Sequence, residues 1–267
     1  MERQTLVFCF LLFTQKAVLE YNIENSINMP KPKYKKILLR ISSETMRREK
    51  RYESIDPLFL DYLTEKIKDV FKLGVEITIV PGGGNIFRGL AGSQKGMDRA
   101  TADYMEMLAT VFNFLALQDA LERANLNSRV QTAIVMKEVA EPYIRQKAIR
   151  HMQKGRIVIL GSGTGLPFIT TDTTAALRGL ELKCAAIFKA TKVDGVYNDD
   201  PIKNKKAKKF TELSFGEVLK NDKVSVMDAS AISLYQDNSV HIVVFNINKK
   251  GDLKKAVLGE KIGTTVC

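Results

Sequence analysis

Apolar residues fall along this chain in two alternating rhythms, and the alternation predicts the architecture. Short apolar or β-branched runs at 35–41, 77–80, 130–135, 157–160, 185–189 and 242–245 have the length and composition of buried strands. Between them lie helical periodicities at 57–73, 97–124, 143–153 and 173–180. The longest carries an apolar stripe at Met105, Leu108, Phe112, Leu115 and Leu121, which reads as core or as a contact between subunits. Strand and helix in turn give an α/β fold: a three-layer α/β/α sandwich around a mainly parallel central sheet. No internal repeat or long linker interrupts it. Residues 29–267 read as one domain, and residues 1–28 as an extension of unknown role. The apolar run at 6–13 is too short to span a bilayer, and it is followed by no convincing cleavage site.

In a parallel sheet, ligands collect at the carboxyl ends of the strands, so the loops there are read together. The second strand runs into Gly82, Gly83, Gly84, Asn85, Ile86, Phe87 and Arg88. Glycines at a strand end let backbone N–H groups approach a polyanion, and an arginine fork suits phosphate oxygens; alone, the triplet reads more readily as an ordinary turn. The first strand ends in Arg40, Ile41, Ser42 and Ser43, a cation beside two hydroxyls. A third loop, Gly161 to Asp172, ends in hydroxyls where a helix begins, a place that attracts anions. Plain helix capping accounts for Thr171 and Asp172 about as well. In the fourth, Lys189 to Pro201, Lys189 and Lys192 can face phosphate and Tyr197 can stack near a base. Several phosphate loops on one rim point to two phosphorylated ligands, and so to phosphoryl transfer.

Composition narrows the partners. The 267 residues carry a formal net charge of +11, which favours anionic ligands. Much of that charge is local: residues 31–51 hold nine Lys or Arg, and residues 203–209 hold five Lys. Runs of this kind are usually solvated loops and support nucleic-acid binding weakly. Cys9, Cys184 and Cys267 are scattered, and with only His151 and His241 they suggest neither a disulfide framework nor a metal site. Cys184 reads as a core residue and Cys267 as an exposed thiol. A reducing compartment, the cytoplasm or alternatively a plastid, is expected, with no membrane partner.

From about residue 33 to 265 the chain resembles bacterial-type UMP kinases of the amino-acid kinase fold, with cyanobacterial and plastid members nearest. The strings GGGNIFRG, GMDRATADYM, LATVFN, TTDTTAALRG and FKATKVDGVYNDDP carry that likeness. They are unlike the P-loop GxxxxGKS/T pattern, which is missing here. The strings around Asp103 and 164–171 also speak against a carbamate or N-acetylglutamate kinase. The resemblance implies Mg²⁺-dependent transfer of the ATP γ-phosphate to UMP. It puts the uracil nucleotide against Gly83, Asp103 and the loop Thr164, Gly165, Leu166, Pro167, Phe168, Ile169, Thr170, Thr171. ATP would lie on Arg40, Ile41, Ser42, Ser43, Gly84, Arg88, Thr191, Tyr197 and Asp200. Arg40 and Asp172 would be catalytic, Asp172 as the buried acid that orients the catalytic cations. A homohexamer, activation by GTP and inhibition by UTP are also implied.

Three positions depart from that family's pattern. Arg40 stands for lysine and Ser43 for glycine, adding a Cβ where positive φ or close phosphate approach is needed. Leu166 replaces a polar asparagine, and residues 45–54 are basic and free of glycine. The alternative reading is therefore a catalytically weakened nucleotide-binding protein with a regulatory or RNA-binding role.

Overall fold

The first strand, β1 (Lys36–Ile41), alternates between two cores, and its neighbours follow it. Ile37, Leu39 and Ile41 face one side of the sheet, where they meet Ile77, Ile79, Phe188 and Phe245. Leu38 faces the other, with Val80, Val158, Leu160 and Ile187. Because both faces are covered, the strands read as continuous apolar runs with little polar alternation. This computed structural model describes residues 30–47, 54–199, 201, 203–221, 224 and 226–267. The extension read at 1–28 lies outside the described residues, as do Asp200 and most of the basic segment before residue 54.

After β1 come α1 (Pro57–Phe71), β2 (Glu76–Pro81), α2 (Gly89–Ser93) and α3 (Arg99–Arg123). Then follow β3 (Ser128–Thr132), β4 (Glu141–Pro142), α4 (Arg145–Gln153), β5 (Ile157–Gly161), α5 (Thr171–Glu181) and β6 (Ala186–Thr191). The chain finishes with β7 (Glu212–Leu213), α6 (Phe215–Lys220), α7 (Ala229–Asn238), β8 (His241–Asn246), α8 (Asp252–Leu258) and β9 (Thr264–Val266). The sheet order is β4-β3-β5-β2-β1-β6-β8-β9-β7, parallel except where β9 runs against β8. Helices α1, α3 and α8 supply one outer layer through Leu63, Phe114 and Val257. Helices α4 to α7 supply the other through Met152, Ala175, Val218 and Ile232. The expected three layers are present.

Sheet order reverses around β1, which lies between β2 and β6 while the chain passes to one side and then the other. That switch point opens a crevice at the carboxyl ends. Across it Arg40 is in register with Val80 on one side and Lys189 on the other.

Several boundaries differ from the sequence expectation for local reasons. The strand expected to reach residue 135 stops at Thr132, opposite Gly161, and Val135 is exposed. The first helix ends at Phe71, before Gly74 takes a φ of 76°. Helix α5 starts two residues early because the Thr170 hydroxyl accepts the Thr173 N–H and caps it. Of the stripe on α3, expected as core or subunit contact, only Leu121 is buried: Met105, Leu108, Phe112 and Leu115 face outward, Phe112 with 63% of its surface exposed. They are not core. Cys184 is buried as expected, and Cys267 is half-buried, its thiol donating to Glu212 at 3.3 Å.

Candidate active site

Register and parity build the centre of the site. Arg40 and Lys189 sit side by side on β1 and β6 and point to the same face, toward the first turn of α5. There the Asp172 carboxylate receives both: Arg40 Nε lies 2.7 Å from Oδ1, and Lys189 Nζ donates to Oδ2 at 2.7 Å. Lys189 also donates to the Val226 carbonyl. All three side chains are largely buried. Arg40 Nε and Asp172 Oδ1 are close but not aligned as a hydrogen bond, so charge holds that contact. Burial pushes the Asp172 carboxyl up, but the charges of Arg40 and Lys189 outweigh it and keep the group below the usual carboxylate range. Burial, helped by Arg40, lowers the Lys189 ammonium against the pull of Asp172.

Two clefts meet at this ion cluster. The first, about 310 Å³, is lined by Arg40, Arg88, Asp103, Thr110, Thr171 and Asp172 among others. The second, also about 310 Å³, is lined by Ser42, Glu44, Lys189, Thr191 and Lys192 together with apolar residues. Asp172 and Lys189, joined to each other, therefore line different clefts.

Most of the residues singled out in the sequence come together on this rim, in more varied roles than expected. Ser42 and Thr191 line the second cleft, and Ser43 is buried in a 3-10 turn, Ser43–Met46, against Gly82 and Gly84. Ser43 is not among the residues with positive φ, so its Cβ brings no left-handed strain, contrary to the expectation. The Ile41 side chain belongs to the core, while its carbonyl accepts the Gly82 N–H at 3.0 Å. Gly83 is needed for close approach to α3, since a Cβ there would stand 2.5 Å from the Glu106 carbonyl oxygen. Gly84 abuts Ser43 and Arg88. Arg88 reaches Glu44 at 2.6 Å and lines the first cleft.

Asp103 takes a paired contact from Arg99 Nε at 2.8 and 2.9 Å and accepts the Phe168 N–H at 2.8 Å. It thereby pins the 164–171 loop. Of that loop, Ile169, Thr170 and Thr171 line the first cleft. Thr164, Gly165, Leu166, Pro167 and Phe168 lie outside its walls, with Leu166 and Phe168 exposed. Tyr197 is tied to Asp194 at 2.6 Å and lies outside the walls of the second cleft, which its neighbours Gly195 and Val196 line. That hydrogen bond, with Lys249 and Lys209, holds the Asp194 carboxyl down at about 2 against its partial burial.

Sequence reasoning missed Asp228. It caps α7 through the Ala231 N–H, accepts the hydroxyls of Thr170 and Thr173, and lines the first cleft. Its signal was an acid just before a helical segment. Lys189 was read as facing phosphate and its pairing with Asp172 was missed; the one local signal was a lysine inside the apolar run 186–190.

The amino acid kinase family model matches residues 35–246. This chain belongs to the amino acid kinase family. It is a kinase, and among solved structures it is similar to the UMP kinase from Bacillus anthracis, with 37% identity, a TM-score of 0.83 and coverage of 87% of this chain and 96% of that one. The UMP kinase from Ureaplasma parvum is 34% identical with a TM-score of 0.81, over 89% of this chain and 99% of the other. The uridylate kinase from Archaeoglobus fulgidus is more distant, at 25% identity and a TM-score of 0.65, over 86% and 99%.

Two outcomes follow from the charges. Because Thr170 does the capping, Asp172 is not a cap: Asp172→Ala strands two buried cations and should cost about 3 kcal/mol in urea unfolding, against about 1 kcal/mol for Thr170→Ala. A cost for Asp172→Ala no larger than for Thr170→Ala would refute the buried-pair reading. For Asp194, a folded value below the unfolded one of about 3.9 means that its stabilisation is complete above that pH and drains away as pH falls toward 2. Asp194→Asn should flatten the stability profile over that window by about 1 kcal/mol, after allowance for solvent screening.

Proposed function

We propose that this kinase transfers the γ-phosphate of ATP to UMP, giving UDP and ADP in pyrimidine nucleotide biosynthesis. The observation that carries the reading is the pair of clefts meeting at Arg40, Asp172 and Lys189. UMP is assigned to the first cleft, beside Asp103 and Thr171, and ATP to the second, beside Ser42 and Thr191. The two UMP kinases above 30% identity support the choice of acceptor.

The chemistry asks for placement and positive charge more than for a base. A nucleoside monophosphate has its second pKa near ~6 and is largely dianionic at neutral pH, so its oxygen attacks phosphorus unaided. Arg40 and Lys189 place two cationic side chains beside Asp172, where the two phosphate chains would meet. The amino end of α5, opened by Thr170 and Thr171, adds N–H donors and a favourable dipole on the first cleft.

Asp172 fits a role toward Mg²⁺. Its Oδ1 is buried with no aligned hydrogen bond, and among the described residues there is no cluster of three His, Cys, Asp or Glu able to cage an ion. That is the donor set of an ion carried mainly by substrate phosphates. When bound, such an ion neutralises phosphate charge. The reading extends to a cytoplasmic homohexamer activated by GTP and inhibited by UTP, and the exposed stripe on α3 supports assembly.

A coupled assay with ATP and Mg²⁺ against UMP, CMP, AMP, carbamate and N-acetylglutamate tests the proposal. Turnover with UMP alone is expected; nucleotide binding without turnover, beside salt-sensitive RNA affinity, would overturn it. Arg40→Lys should raise kcat by up to about a hundredfold with little change in the KM for UMP, since a misplaced transition-state contact costs about 3 kcal/mol. An unchanged or lower kcat would remove the idea that the arginine handicaps transfer.

A further inference from the structure

Helix α3 carries polar residues at 103, 106, 110 and 113, a spacing of three, four and three that places them on one stripe. Each holds a different part of the site. Asp103 accepts the Phe168 N–H at 2.8 Å, Glu106 the Gly89 N–H at 2.7 Å and Thr110 Oγ1 the Ser162 N–H at 2.8 Å. Asn113 Nδ2 donates to the Gly82 carbonyl at 2.6 Å and exchanges amide hydrogen bonds with Asn85 at 2.7 and 2.9 Å.

Thr110 and Asn113 are both buried, where a polar side chain is costly unless its hydrogen bonds are made. Further along the helix the inward positions are apolar, as at Phe114, Leu117 and Leu121. Polarity is thus confined to the stretch of α3 that meets the phosphate loops. Ser162 and Phe168 are the two residues of the 161–171 loop, glycines aside, that adopt left-handed backbone, with φ of 60° and 66°. The N–H group of each is the one that the stripe accepts.

We propose that Thr110 is a positioning residue for the acceptor nucleotide, holding the strained turn at Ser162 so that the 161–171 loop is set before the ligand arrives. Asn113 does the same for the triple-glycine loop. The inference rests on the assignment of UMP to the first cleft and deepens it.

Thr110→Val keeps the shape and removes the acceptor; Thr110→Ser keeps the hydroxyl. Steady-state kinetics and nucleotide-free hydrogen exchange over residues 161–171 are measured on the full chain for both variants. Thr110→Val should raise the KM for UMP at least about tenfold, leave the KM for ATP within about twofold and speed exchange in the loop about tenfold. Thr110→Ser should restore all three. A Thr110→Val enzyme that is less stable but has unchanged UMP KM and unchanged loop exchange overturns the proposal. Should that variant not fold, Thr110→Cys is judged by the same criteria. If the wild-type chain does not phosphorylate UMP, the functional reading fails by itself, and the exchange comparison still decides whether Thr110 sets the loop.

Discussion

One buried carboxylate organises this molecule's rim. Without Asp172, Arg40 and Lys189 would stand as two like charges on adjacent strands, largely removed from water. Desolvation of that kind costs several kcal/mol per ion unless a partner of opposite sign is fixed in place. The partner is fixed by α5, whose first turn is in turn held by Thr170 and by Asp228 at the start of α7. The cation pair, the helix start and the 226–228 segment therefore stand or fall together, and the two clefts share one wall.

The sheet makes that arrangement inexpensive. In parallel strands with matched register, residues of the same parity lie side by side, so two cations one and two positions from their strand ends arrive next to each other with no loop to order. Residues of opposite parity go to the core: Ile41, one position beyond Arg40, is wholly buried on the other face. A role inferred for a string of neighbouring residues is thus split by the pleat into side chains that can meet a ligand and side chains that cannot.

That split also marks what was legible in advance. The principal strands, the parallel sheet and the loops at its carboxyl rim followed from apolar runs and glycine placement, because those features are local. Edge strands of two or three residues carry too little pattern to detect, as at Glu141–Pro142 and Glu212–Leu213. The apolar stripe on α3 had a correct period but no sign saying which side of the helix the sheet would take. Asp228 and the inward polar stripe depend on partners 17 to 65 positions away, such as Gly89 for Glu106, Thr170 for Asp228 and Phe168 for Asp103, and no local window holds both ends.

Long-range pinning explains how a site made of loops can be precise. Loops at a sheet edge are ordinarily the least constrained parts of a fold. Here the triple-glycine loop and the 161–171 loop are each tied to α3, a helix of 25 residues packed on the core through Phe114, Leu117 and Leu121. Two residues are held in left-handed backbone at a cost of order 1–3 kcal/mol each, and hydrogen bonds from the helix supply the restraint. The entropy of ordering those loops is then met largely during folding, so a ligand entering either cleft loses less of its binding energy to arranging the protein. Glycine serves the same end at Gly83, where the missing Cβ lets the loop lie against the helix backbone itself.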